Sequence, residues 1–316
     1  MLANARRGVV RVHGADVHFA EMGAGEPLVL LHGLNDSHRT WSRVAPALAR
    51  RFRVVMPDLP GHGLSSRPDT SYSLDYYADV VSSFLREIGV ERADVVGHSF
   101  GGGVGQLLLV EHRPRVRRLA LVASGGLGRD VTWALRLAAS PWVERFGQPF
   151  FPIATRIGMR ALGTFDDEDV EMLAWMNAMP GTARAFARTV RDVIDLRGQR
   201  RHFLDRAHEV AELPPVAVFW GDSDPILPVA HGVGILDHVD GLTLARFRRC
   251  GHFPHREHPE AFVDALTSFL ERGDLAPARV RAVPIRRRPT SAFRRAIQAL
   301  GAAARRLFAP APSAVG

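Results

Sequence analysis

The chain of 316 residues contains a single cysteine, Cys250, and no lysine. One thiol excludes a disulfide within the chain, and nothing else in the composition calls for an oxidising compartment. With lysine absent, every basic residue is an arginine. This reads as a codon bias of the source rather than as phosphate recognition. No run of eighteen or more apolar residues occurs, so no membrane-spanning helix is expected. Met1–Arg7 lacks the apolar stretch of a signal peptide and leads directly into a strand-like pattern. These absences together predict a cytoplasmic protein.

What is present suits an ordinary globular protein, with 46% apolar and 23% charged residues. The formal net charge of +8 raises the question of a nucleic-acid or membrane partner. Its location answers it: nine arginines and one acid, Asp274, lie beyond residue 272, which leaves the body formally neutral. No nucleic-acid partner is expected. The basic tail, residues 273–316, carries five prolines and is predicted to be flexible. Within it Phe293, Ile297, Leu300, Ala304 and Leu307 fall on one helical stripe, which allows weak peripheral contact with an anionic membrane.

Val9–Val12 and Val17–Ala20 alternate about His13–Asp16, the pattern of an opening hairpin. Short unbroken apolar runs follow at Leu28–Leu31, Phe52–Met56, Asp94–Gly97, Val116–Val122, Val216–Trp220 and Leu242–Phe247. Such runs suit strands buried on both faces, as in a parallel sheet covered by helices. Helical patterns at Ser73–Ile88, Gly101–Glu111 and Pro259–Arg272 alternate with them. The prediction is an α/β fold with a doubly wound sheet. The alternation stops near Gly125. Residues 127–211 show only helical stretches, rich in Trp, Phe and Met, before the strands resume. The organisation expected is therefore a core of residues 1–126 and 212–272, a helical cap at 127–211, and the tail.

Gly97-His98-Ser99-Phe100-Gly101 fits G-x-S-x-G between a strand run and a helical stretch. A sharp strand-to-helix turn lifts the serine hydroxyl above the sheet, at a helix N-terminus where N–H groups stabilise negative charge. Small residues two positions to either side let neighbouring backbones approach. An oxyanion hole could be completed at the end of an earlier strand, Leu30-Leu31-His32-Gly33-Leu34, where the N–H of Leu34 would join that of Phe100.

Fourteen histidines compete for the role of base. His252, in Cys250-Gly251-His252-Phe253-Pro254, follows the last strand run, where such folds gather catalytic groups, and is preferred over His255 and His258. The acid should fall between serine and histidine in the chain. Asp224 in Gly221-Asp222-Ser223-Asp224-Pro225 is preferred because it stands further out on the loop, while Asp222 suits capping of the turn. The strand end Leu121–Gly125 offers no carboxylate. His98 is expected to brace the turn, and His32 and His62 to hold loops. Asp58-Leu59-Pro60-Gly61-His62-Gly63-Leu64-Ser65 reads as a structural loop at the edge of the site.

Taken in order, His32-Gly33, the Asp58–Ser65 loop, Gly97–Gly101, Gly221–Asp224 and Gly251-His252 resemble the motif set of the α/β-hydrolase superfamily. The resemblance spans residues 8–272 and is to the branch with a helical cap after the sixth strand. That branch holds esterases, lipases, C–C bond hydrolases, epoxide hydrolases and haloalkane dehalogenases. The last two use aspartate as nucleophile, where this chain has Ser99. The resemblance thus implies acyl chemistry without metal or organic cofactor.

The substrate expected is a small carboxylic ester of moderately apolar character. His32, Gly33, His98, Trp133, Trp175 and Phe253 are predicted to contact it. The nearest alternatives are C–C hydrolysis of a dienoate and hydrolysis of a thioester or lactone. A body that only binds a ligand is a further one.

Overall fold

The structure, a computed structural model, describes residues 2, 4–210, 212–272 and 279–280. The tail stripe proposed for membrane contact lies outside the described residues.

In chain order the strands are β1 (Arg6–Val12), β2 (Ala15–Met22), β3 (Glu26–Leu31), β4 (Phe52–Pro57), β5 (Ala93–His98), β6 (Val116–Val122), β7 (Ile194–Asp195), β8 (Gly198–Gln199), β9 (Val216–Gly221), β10 (Val239–Asp240), β11 (Thr243–Phe247) and β12 (Arg279–Val280). Eight of them form one sheet in the order β1-β2-β4-β3-β5-β6-β9-β11. β2 runs antiparallel to β1 and β4, and all other pairings in this sheet are parallel. His13 and Gly14, both at positive φ, close the β1–β2 hairpin, as a tight two-residue turn requires.

Apolar runs without polar alternation were expected to be buried on both faces, and the strands show why. Val29 and Leu31 of β3 join one core cluster, with Val95, Leu119, Leu121, Val218 and Trp220. Leu28 and Leu30 join the other, with Val54, Met56, Val96, Ala120 and Phe219. Successive residues point to opposite faces, and helices cover both.

The helices are α1 (Ala45–Leu48), α2 (Leu74–Glu87), α3 (Phe100–Glu111), α4 (Trp133–Ala138), α5 (Pro141–Phe146), α6 (Phe151–Leu162), α7 (Asp167–Asn177), α8 (Thr182–Val193), α9 (Phe203–Arg206), α10 (Ala230–Gly234), α11 (Pro254–Glu257) and α12 (Pro259–Glu271). α2 and α3 cover the first face, α1 and α12 the second. Ser73 caps α2 by accepting from the N–H of Tyr76 at 3.2 Å, the role its residue type favours. Among the described residues no helix is long and apolar enough to cross a membrane.

The chain leaves β3 for β4 on one side and then returns to place β5 on the other. At such a reversal the loops beyond the strand ends diverge and open a crevice. His32–Leu34 and Ser99 stand at those ends.

α4 to α9 lie between β6 and β9, two neighbouring parallel strands. This helical insertion also contains the small β7–β8 hairpin, which the sequence pattern did not reveal. It packs on the core through polar anchors. Arg67 donates to the carbonyls of Ser65, Gly63 and Met176 and to Thr182 Oγ1. Arg256, fully buried, donates to Asp169 of α7 at 2.6 Å, with its guanidinium over Phe165.

Candidate active site

The turn from β5 to α3 places Ser99 at φ 51° and ψ −114°, a region that L-residues avoid and that persists only when the surroundings enforce it. Its N–H donates to Val122 O at 2.9 Å, and its carbonyl accepts from Gly102 and Gly125, both at 3.0 Å. The flanking glycines are required by contact. A Cβ on Gly97 would lie 2.4 Å from Gly101 O, and one on Gly101 would lie 2.5 Å from the carbonyl oxygens of Leu31 and His32. Phe100 opens α3, so its N–H lacks an acceptor within the helix.

Opposite stands the end of β3. His32 is buried and accepts the N–H of Leu59 at Nε2 (2.9 Å), so its Nδ1 carries the proton and donates to Gly33 O at 2.7 Å. Burial lowers the pKa of this imidazole and keeps it neutral. A Cβ on Gly33 would come within 3.3 Å of Ser99 Cβ, so this loop rests directly against the serine. Leu34 N–H has no partner among the described residues.

The Asp58–Ser65 loop is held from within. Asp58 accepts from the N–H of His38 (2.6 Å), from His38 Nδ1 (3.0 Å) and from the N–H of Leu64 (2.9 Å). Burial alone would raise its pKa, yet the charge and hydrogen bond of His38 push it down to about 2.

The loop after β9 brings Asp224 to His252: Nδ1 to Oδ2 is 2.7 Å, and both side chains are buried. The other oxygen of Asp224 accepts from the N–H groups of Ile226 and Leu227 at 2.8 and 3.0 Å. Asp222 instead pairs with Arg246 at the surface. Glu257 fixes the histidine loop by accepting from the N–H groups of Gly251 (2.7 Å) and Phe253 (3.1 Å). No sequence signal marks this role, because a glutamate six residues away on a helix looks like any solvated one. The ring of His98 donates through Nε2 to His252 O at 2.9 Å, and its centroid lies 4.8 Å from that of His252. The loops bearing Ser99 and His252 are thereby tied together. Burial, and then the neighbouring His252, drives the His98 pKa far down. His255 points elsewhere, with Nε2 3.0 Å from Thr40 Oγ1 and its ring against Trp41.

A cavity of about 200 Å³ opens on Ser99, Leu34 and Phe100. α3 contributes Gly103, Leu107 and Val110 to its wall, the insertion Val131, Leu135, Ile194 and Phe203, and the Asp224 loop Ile226 and Leu227. Gln106 and Gln199 also face it, but their amides are spent on Ser124, Gly125, Gly126 and Gly128. Of the residues expected to contact substrate, His32, Gly33, His98 and Phe253 do not line the cavity. Trp133 and Trp175 are 66% and 56% exposed and lie outside it. For Trp133 the reason is that Leu135, two residues on, takes the inward face of the short helix α4.

Residues 26–259 match the family described as alpha/beta hydrolase fold. An uncharacterized protein of Mycobacterium tuberculosis is 36% identical over 272 residues, covering 82% of this chain and 80% of that protein. The 2-hydroxymuconate semialdehyde hydrolase of Pseudomonas sp. (strain CF600) is 30% identical, over 83% of this chain and 93% of its own length. Among solved structures, the serine hydrolase involved in carbazole degradation (CarC enzyme) superposes with a TM-score of 0.70 at 26% identity, covering 84% of this chain and 98% of that one. With the sheet order, the serine turn and these matches in agreement, the chain belongs to the α/β-hydrolase fold family.

Proposed function

We propose that the chain is a serine hydrolase cleaving a carboxylic ester of moderately apolar character through Ser99, His252 and Asp224. The observation that carries this reading is the apolar cavity opening on a strained Ser99, whose turn is tied through His98 to the loop of the buried His252–Asp224 pair. Because Asp224 accepts a hydrogen bond from the Nδ1–H of His252, the proton stays on Nδ1 and the Nε2 lone pair is free for the serine hydroxyl. His252 removes that proton as Ser99 attacks the carbonyl. The N–H groups of Leu34 and Phe100 stabilise the oxyanion, each worth about 3 kcal/mol in such sites. His252 then protonates the leaving alcohol, and water releases the acyl group by the same route in reverse. The helical insertion serves as the cap that walls the cavity and excludes bulk water.

Hydrolysis of a carbon–carbon bond in a dienoate is the second reading. It is favoured by the name of the 2-hydroxymuconate semialdehyde hydrolase relative, since a muconate skeleton is a dienoate. It also has a cation to use: Arg200 lines the cavity without a carboxylate partner among the described residues, whereas Arg201 and Arg206 are paired. A p-nitrophenyl ester chain-length series run beside a dienoate, with Ser99→Ala as control, separates the two. Turnover of esters with a preference for medium chains supports the first. Turnover of the dienoate alone, weakened by Arg200→Gln, replaces it with the second.

A further inference from the structure

We propose that the outer face of the helical insertion is a docking surface for an anionic lipid bilayer. Trp133 and Leu137 of α4, Trp142 and Phe146 of α5, and Leu196 in the β7–β8 turn are each between 50% and 70% exposed. Within each helix the two side chains are four residues apart and share one face. α4 and α5 both pack on α8, and α4 also packs on β7, so these stripes form one outer layer. The rings of Trp142 and Phe146 stack with centroids 5.4 Å apart. A monomeric soluble protein rarely leaves so many large apolar side chains together in water.

The charges around this layer select its occupant. Arg129, Arg145 and Arg197 are exposed and have no carboxylate partner among the described residues. Arg129 adjoins the β7–β8 hairpin through its carbonyl, which accepts from Gln199 N–H. The Arg136 guanidinium lies over Trp133 and that of Arg145 over Phe146. A second copy would meet this face with the same face in a two-fold dimer and bring like charges together. The chain's own tail, with nine arginines and one acid, is repelled in the same way. An anionic bilayer satisfies both requirements: its headgroups take the arginines, and its interfacial region takes Trp, Phe and Leu. The neighbouring α6 stripe of Ile153 and Ile157 is left out. Its arginines, Arg156 and Arg160, are neutralised by Glu171 and Asp167 of α7. α4 also connects the surface to the site, because Leu135 lines the cavity while Trp133 and Leu137 face outward.

The test is flotation of the full-length chain with vesicles of phosphatidylglycerol and phosphatidylcholine, against vesicles of phosphatidylcholine alone. The comparison variant is Trp142→Ser, Phe146→Ser, Leu196→Ser, all three outside the cavity; unchanged hydrolysis of a soluble ester or an unchanged unfolding transition checks its fold. The wild type should float with the anionic vesicles only. The triple variant should partition at least about tenfold more weakly, since such binding scales with buried apolar area. Failure of the wild type to float overturns the proposal. Undiminished flotation of the variant does so too, because binding would then come from elsewhere in the chain, the basic tail included. A dimer of the wild type in sedimentation that the variant abolishes would assign the face to a second copy. Binding to polyglutamate without binding to vesicles would assign it to an acidic protein.

Discussion

Gly101 offers a sharp test of why the serine turn has the sequence it has. In Gly101→Ala the new methyl would sit 2.5 Å from the carbonyl oxygens of Leu31 and His32 and 2.8 Å from Leu31 C. Relief to an ordinary contact near 3.4 Å requires a shift of about 0.9 Å. The obstacle is backbone on the β3 side, so no side chain can swing away. Either α3 moves, carrying Phe100 N–H, or the end of β3 moves, carrying Leu34 N–H. Overpacking of this kind costs about 1–3 kcal/mol, and a displacement near 1 Å at reacting groups costs roughly 10²-fold in rate. Gly103→Ala, half a turn further along α3, is the control: a Cβ there meets only Leu74 Cδ1, at 3.7 Å. Replacing a helical glycine by alanine should stabilise by about 0.5–1 kcal/mol. Urea unfolding should therefore move in opposite directions for the two variants. With a short acetyl ester, Gly101→Ala should lose about 10²-fold in kcat, far more than Gly103→Ala, whose methyl adds only to the cavity wall. Equal stability and equal activity of the two would refute the close-approach argument.

Other parts of the structure make separate predictions. Asp169→Ala leaves Arg256 buried without its carboxylate and should cost about 3–5 kcal/mol by urea unfolding. Arg39→Ala, at the better-exposed partner of the same aspartate, should cost no more than about 1 kcal/mol. Burial raises the pKa of Asp36 to about 6, above its unfolded value near 3.8, so the folded state holds the proton more tightly. Its contribution is present below about pH 4 and is lost as pH rises through about 6. Asp36→Asn should accordingly be stabilising at pH 8, by up to about 3 kcal/mol, and lose that advantage at pH 4; a pH-independent difference in unfolding free energy would contradict this. Asp224→Asn should fold, since the carboxamide oxygen can still accept from Ile226 and Leu227. It should lower kcat by about 10⁴-fold by permitting the wrong imidazole tautomer. A loss below tenfold would remove Asp224 from the relay.

The sheet was legible because its strands are buried on both faces. Unbroken runs such as Val116–Val122 have no other economical explanation, and the observed strand has those same bounds. Placement of the site was legible for a related reason: a turn as constrained as Gly97–Gly101 tolerates few residue types. The preference for Asp224 over Asp222 rested on position along the loop, and the structure places Asp224 against His252 and Asp222 against Arg246. The insertion was less legible. Apolar spacing in a helix of two turns or fewer marks a stripe without saying which side faces inward, and the inward residue of α4 proved to be Leu135 rather than Trp133. Long-range polar contacts left no trace at all. Arg256 with Asp169, and Gln199 with the carbonyl of Gly128, join segments far apart in sequence through residues that look like surface ones.

The proposed mechanism depends above all on the reactivity of one hydroxyl. Incubation of the folded chain with a fluorophosphonate, followed by intact mass and peptide mapping, should show one adduct, located on Ser99. The labelling rate should collapse in His252→Ala while the unfolding transition of that variant stays cooperative. A folded wild-type chain that takes no adduct, or takes it at another residue, would contradict the account.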